Sequence, residues 1–158
     1  MNTPWGQSQT KETIVPGVHW VTTASHGGLM VAKATAERLL TVAAIETAFP
    51  GRFGDYVCFE EDCAYSVAFF EHPDWKRTPD ERALREWEAM PSEPANSNPA
   101  YRTHMMQARV TAIESLTFEV AKQDARIREE MRAVAERWVP EYFARLNGTE
   151  LARAADRQ

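Results

Sequence analysis

Apolar residues follow two different periods along this chain, and the change between them organises it. From Thr13 to Ala32 the period is that of a strand. Ile14, Val15, Val18, Trp20 and Val21 favour extended backbone, and Pro16-Gly17 interrupts them as a turn or bulge signal. Val18, Trp20 and Thr22 fall on one face, His19 and Val21 on the other. Leu29 to Ala32 is the predicted returning strand, with Ser25-His26-Gly27-Gly28 as the connection, where adjacent glycines permit the positive φ of a tight hairpin. The polar segment before it, Thr3 to Thr10, is expected to cross the surface, pinned by Trp5.

After Lys33 the period becomes helical. Ala36, Leu39, Leu40, Ala43, Ala44 and Phe49 fit one helix with Thr35 as N-cap, ended by Pro50-Gly51. A short strand is predicted around Tyr56 to Phe59. Ala64, Val67, Ala68 and Phe69 then read as a buried helix ending near His72-Pro73, although an apolar run of this length also suits a strand. Thr78-Pro79-Asp80-Glu81 is a helix start, with Pro at the first helical position and acids in the first turn, and that helix is expected to reach Met90.

The most regular pattern comes last. Met106, Val110, Ile113, Thr117, Val120, Asp124, Ile127, Met131, Val134 and Trp138 alternate spacings of four and three, which predicts a long helix with a heptad-like seam. It should stop at Pro140 or continue kinked to Asn147-Gly148. An uninterrupted run from Arg102 to Val139 would be roughly 55 Å long, more than a small domain is wide. Its seam therefore meets either the rest of this chain or a second copy, and a homodimer through residues 106–138 is one expectation. The architecture expected is α+β: an antiparallel hairpin or small sheet packed with helices over 1–90, a Pro/Ser/Asn linker over 91–99, a long helical segment over 100–148 and a tail over 149–158.

Composition narrows the function classes. With 158 residues and 44% hydrophobic content the chain can bury a core without disulfides. The net charge is −5, and neither half is basic: residues 1–79 carry 9 acids and 6 bases, residues 80–158 carry 14 and 12. Arginines of the long helix are interleaved with glutamates, so a nucleic-acid surface is not expected. No apolar stretch is long enough to span a membrane, and the first residues do not resemble a signal peptide, so the expected compartment is the cytoplasm. Cys58 and Cys63 have neither redox nor zinc-ribbon spacing and read as thiols in a reducing compartment. No cofactor is expected.

Two short polar clusters hold the candidate chemistry, Ser25-His26-Gly27-Gly28 and Glu60-Glu61-Asp62-Cys63. In the first, His26 on a glycine-flanked turn could approach a ligand, and the Gly27 and Gly28 N–H groups could line an anion pocket. Ser and His could equally hydrogen-bond their own turn. In the second, carboxylates at a helix N-terminus would complement its dipole by ~0.3–1 kcal/mol each. Alternatively they serve acid–base or metal chemistry, for which His26, Glu61 and Cys63 are catalytic candidates and His26, Glu60 and Asp62 are metal-ligand candidates. Three consecutive acids cannot all face one point on a regular helix, so at most two would serve. His72 and His104 read as surface histidines. Trp75, Trp87, Trp138 and Tyr142 are candidate anchors of a protein interface, with core packing as the competing use.

The run Thr3-Pro4-Trp5-Gly6, Pro16-Gly17, Ala24-Ser25-His26-Gly27-Gly28 and Phe59-Glu60-Glu61-Asp62-Cys63-Ala64-Tyr65 resembles an uncharacterised bacterial domain family found on phages, plasmids and other mobile elements. The likeness spans the first half, to about Trp75. The residue after Cys63 is often acidic in that pattern and is Ala64 here. No activity comes with the resemblance. It implies a shared structural or binding core, and an accessory protein that binds a host or element protein, an inhibitor of host defence among the options. A small metal-dependent or Cys/His hydrolase centred on His26 and Glu60–Cys63 is the alternative from another class.

Overall fold

The computed structural model describes residues 1–49, 53–77 and 99–155, with side chains of the last segment described at 107 and over 117–148. Six strands come first: β1 (Asn2–Thr3), β2 (Gly6–Gln7), β3 (Thr10–Val15), β4 (Val18–Thr22), β5 (Gly27–Ala32) and, later, β6 (Tyr56–Glu60). The first two form a small antiparallel hairpin, and the others an antiparallel sheet in the order β3-β4-β5-β6. Between β5 and β6 lie α1 (Lys33–Leu39) and α2 (Val42–Ile45). After β6 come α3 (Tyr65–Glu71), a 3-10 turn (Pro73–Lys76), α4 (Pro99–Trp138) and α5 (Pro140–Ala155). The fold is α+β, with the long helix where the seam pattern placed it.

Strand alternation gives the sheet two buried faces. Val18, Leu29, Val31, Val57 and Phe59 face the helices and join Val67, Ala68, Phe69, Ile127, Met131 and Ala135 in the main core. Val21, Met30 and Cys58 face the other way, covered by Trp5, Phe53 and Tyr56. The β1–β2 hairpin delivers Trp5 to this second face: Thr3 Oγ1 donates to the Gly6 carbonyl at 2.8 Å and accepts from the Trp5 N–H. β3 begins at Thr10, three residues earlier than the β-former pattern, because Thr10, Lys11 and Glu12 are exposed on an edge strand and carry no apolar signal. At Gly17 φ is +82°, as the β3–β4 turn requires.

The single helix expected from Thr35 to Phe49 is broken. α1 starts at Lys33, without a side-chain cap, and Leu40 and Thr41 are extended before α2 begins. Thr41 rather than Thr35 acts as a cap, its Oγ1 accepting from the Ala44 N–H at 3.1 Å. The cause lies elsewhere in the chain. The Glu71 carboxylate accepts from the Thr41 N–H at 2.8 Å and from its hydroxyl, and also from the Tyr142 hydroxyl at 2.8 Å. One carboxylate thus joins the ends of α2 and α3 to α5. Burial and the Glu71 charge together push the Tyr142 hydroxyl far above its usual range, so it stays a donor.

The seam of α4 is partly confirmed and partly shifted over its described positions; the side chains of Met106, Val110 and Ile113 lie outside the described residues. Val120 is buried and Ile127 and Met131 join the main core, but beyond them Ala135 and Val139 turn inward while Trp138 is 57% exposed. A straight α-helix has 3.6 residues per turn, so a strict seven-residue seam drifts off the contact line by about 20° per heptad. This part of the seam is occupied within the chain. Asp124, the polar seam position, accepts from Arg77 Nε at 2.6 Å and also from Arg77 Nη2. Arg77 is 2% exposed, so the pair fixes the axial position of α4 against the end of the 3-10 turn. The helix ends at Trp138, as Pro140 requires, but α5 then crosses Asn147-Gly148 and ends at Ala155. The helix expected from Pro79 to Met90, the linker up to Asn98 and the Pro50-Gly51 stop lie outside the described residues.

Two results are expected from this packing. Asp124→Ala should lower the free energy of unfolding in urea by about 3 kcal/mol, because it strips a buried guanidinium of its carboxylate. The second concerns His72, whose Nε2–H donates to the Leu39 carbonyl at 2.8 Å and whose ring stacks on Trp75 at 4.5 Å. Its pKa is raised above 6.5, first by the Asp74 carboxylate and against the opposing effect of burial. A group with a raised folded pKa stabilises fully below its unfolded value and loses that contribution as pH rises through the folded one. Urea unfolding should therefore show stability falling as pH climbs from 6 past the raised pKa, and His72→Gln should flatten that slope.

Candidate functional site

Pairing of β5 with β6 unites the two polar clusters. Gly28 is opposite Glu60, and the Glu61 N–H donates to the Gly27 carbonyl at 3.2 Å. His26, one residue before the strand, therefore sits beside the residues that follow Glu60. One ligating atom each from His26, Glu60 and Asp62 lies within 4.8 Å of the other two. The turn that carries His26 is braced by Thr23, whose hydroxyl donates to the His26 carbonyl at 2.7 Å and accepts from the His26 N–H at 3.2 Å. Ser25 likewise gives its N–H to Thr23 Oγ1.

The two glycines are there for space. A Cβ on Gly27 would lie 2.5 Å from the Val21 carbonyl oxygen and 2.8 Å from Glu61 Oε2, and one on Gly28 would strike the Phe59 carbonyl and the Trp5 ring. Gly27 and Gly28 thus let the strands and Trp5 close up, which is a packing role.

The second cluster does not cap a helix. Glu60 closes β6, Glu61 and Asp62 lie in the following turn, and α3 starts at Tyr65 with no acid in its first turn and no side-chain cap. The acids follow strand and turn geometry, so they point to different sides. By alternation Glu60 shares the Trp5 side of the sheet with Cys58, while Glu61 lines a groove on the helix side.

That groove has a volume of about 560 Å³ and opens between β3–β4 and the α3–3-10 segment. Trp20, Tyr65 and Phe69 form its aromatic wall, with Trp20 stacked on Phe69 at 6.1 Å and edge-on to Tyr65 at 5.8 Å. Glu12, Glu61 and Lys76 bring charges of both signs to it.

Cys63 is half-buried against the main core. Burial raises its thiol pKa most. The Ala64 N–H opposes this, and the Glu60, Asp62 and Glu141 charges add to it. It is a protonated thiol at neutral pH, unsuited to nucleophilic attack. Cys58 is buried on the other face and pushed up to about 11. Of the candidate anchors, Trp75 and Tyr142 are core residues, correcting their reading as exposed aromatics. Trp138 is exposed, with the Arg137 guanidinium 4.8 Å above its ring. Trp87 lies outside the described residues, and the His104 side chain is not described. His72, read as a surface residue, is half-buried under Trp75. The groove is what sequence reasoning missed, because its wall joins residues 45 positions or more apart, Trp20 with Tyr65 and Phe69.

A family model described as "Domain of unknown function (DUF7007)" matches residues 1–158. The chain belongs to this family. Membership in DUF7007 covers the full length, not only the first half that carries the S-H-G-G and E-E-D-C elements. No curated protein and no solved structure matches the DUF7007 chain. Among its described residues no helix is long and apolar enough to cross a membrane.

The thiol chemistry of this DUF7007 chain is directly testable. Both cysteines should alkylate with iodoacetamide at pH 7.5 well below the rate of a small free thiol, Cys58 slowest. Cys63→Ser should leave fold and stability nearly unchanged by circular dichroism.

Proposed function

We propose that this protein is a small non-enzymatic accessory protein that acts by binding another protein at the groove between β3–β4 and α3. One observation carries the reading: this groove and the titratable cluster are separated. The groove holds only Glu61 of the candidate catalytic residues, whereas Glu60 lies on the opposite side of the sheet with His26 and Asp62 beside it. An acid–base or nucleophilic enzyme needs its reacting groups in the cleft that holds the substrate. A thiol held protonated by burial weighs further against a Cys/His hydrolase.

What the groove does offer is contact chemistry. Trp20, Tyr65 and Phe69 can accept an apolar or aromatic side chain of a partner segment, and Glu12, Glu61 and Lys76 can set its orientation. The resemblance to domains carried on phages and plasmids supports an accessory role in a mobile element, acting in the cytoplasm. Inhibition of a host defence system is one form this could take. Of the 106–138 seam, Ile127, Met131 and Val134 pack within the chain, which leaves less of it for a symmetric dimer.

Site-specific photocrosslinking in cells tests the proposal. A benzophenone amino acid at Tyr65 should give a discrete adduct with a second protein, weakened by Lys76→Glu. The same probe at the exposed Phe118 should not give that adduct. The reading is overturned if the Tyr65 probe yields no adduct in a folded protein. Turnover of an ester or phosphoester substrate that His26→Ala abolishes without unfolding the chain would overturn it in favour of the hydrolase.

A further inference from the structure

His26, Glu60 and Asp62 come from two separate turns, and their ligating atoms gather within 4.8 Å. Among the described residues, none of these three side chains makes a hydrogen bond or an ion pair, with one another or with a third group. Two carboxylates and an imidazole gathered at this spacing offer a mixed oxygen and nitrogen donor set to a cation. Ligand distances of roughly 2.0–2.2 Å place donors on opposite sides of one ion about 4.2 Å apart, so small rotations of exposed side chains suffice to close the shell.

The backbone beneath them is built to hold this spacing. Thr23 braces His26 from both its N–H and its carbonyl, and the Gly27–Glu61 hydrogen bond ties the two turns together. At both Gly27 and Gly28 a Cβ would collide with backbone, so the approach of the turns cannot relax around larger residues.

We propose that His26, Glu60 and Asp62 bind one divalent first-row transition-metal ion, which clamps the β4–β5 turn to the β6–α3 turn. An imidazole nitrogen with two carboxylate oxygens suits Zn²⁺ or Mn²⁺, whereas Mg²⁺ and Ca²⁺ favour all-oxygen shells. Three protein donors leave positions for water, and the solvent exposure of His26 and Asp62 sets a modest affinity. The ion's role is to hold the rim of the sheet, away from the groove. The site stands or falls independently of the protein-binding proposal.

Isothermal titration of the full chain with ZnCl₂ and with MnCl₂, with MgCl₂ as the control, tests the assignment. One equivalent of Zn²⁺ should bind in the micromolar range and raise the Tm, and Mg²⁺ should bind far more weakly. His26→Gln and Asp62→Asn should each weaken Zn²⁺ at least tenfold while leaving the metal-free Tm and circular dichroism unchanged. Cys63→Ser and His72→Gln should keep wild-type affinity. Absence of binding at millimolar Zn²⁺ would make the cluster ordinary exposed acids and overturn the proposal. Wild-type affinity in His26→Gln, or loss of affinity only in Cys63→Ser, would overturn it as well.

Discussion

The structure depends on the two-sided burial of α3. A seven-residue helix has no stability of its own, since nucleation costs more than two turns of hydrogen bonds return. α3 exists because Tyr65 and Phe69 pack on Trp20 of the sheet while Phe70 packs on Tyr142 and Phe143 of α5. Its buried polar residue, Ser66, is satisfied locally by donating to the Cys63 carbonyl at 2.6 Å. With α3 fixed, the residues after it organise the remaining helices. Glu71 stops the first helical stretch at Thr41 and collects Tyr142, while Arg77 takes Asp124 and sets the height of α4.

The same economy of contacts explains why the chemistry-bearing residues end up where they do. Register on the sheet, not proximity in the chain, decides their neighbours: Gly28 against Glu60 puts His26 beside Asp62 across more than thirty residues. Meanwhile three consecutive acids are parted, because strand and turn geometry send Glu60 and Glu61 to opposite sides. One side thus acquires a cluster of potential ligands, and the other a cleft with an aromatic wall. A single short segment supplies both surfaces, which gives the E-E-D-C element a structural reason for its compactness.

Much of this was legible in advance. Alternation of Val18, Trp20 and Val21 and the apolar run at Val67–Phe69 marked β4 and α3, since these signals come from burial along one element, whereas Gly27 and Gly28, read as the connection, are the first two residues of β5. The three potential metal ligands could be named, although their convergence could not. Misreadings share one cause. Thr35 looked like a cap and Glu60–Asp62 like a helix start because capping preferences are local, and long-range partners overrode them: Glu71 at Thr41, and β5 at Glu60. Trp75 and Tyr142 looked like surface anchors because a lone aromatic carries no mark of which side it faces.

The sequence by itself determined the periods: two in the sheet, near 3.6 in the helices, and the interruptions by Pro and Gly that separate most of them. Those are properties of neighbouring residues and survive without any knowledge of the fold. Only the tertiary structure decided which elements touch. It turned Asp124 from a flaw in a seam into the partner of a buried arginine, turned Ala135 inward and left Trp138 exposed on α4, and brought His26 to Asp62. The physical reason is that local preferences are worth a few tenths of a kcal/mol to about one, and burial of a side chain or pairing of a desolvated charge is worth more.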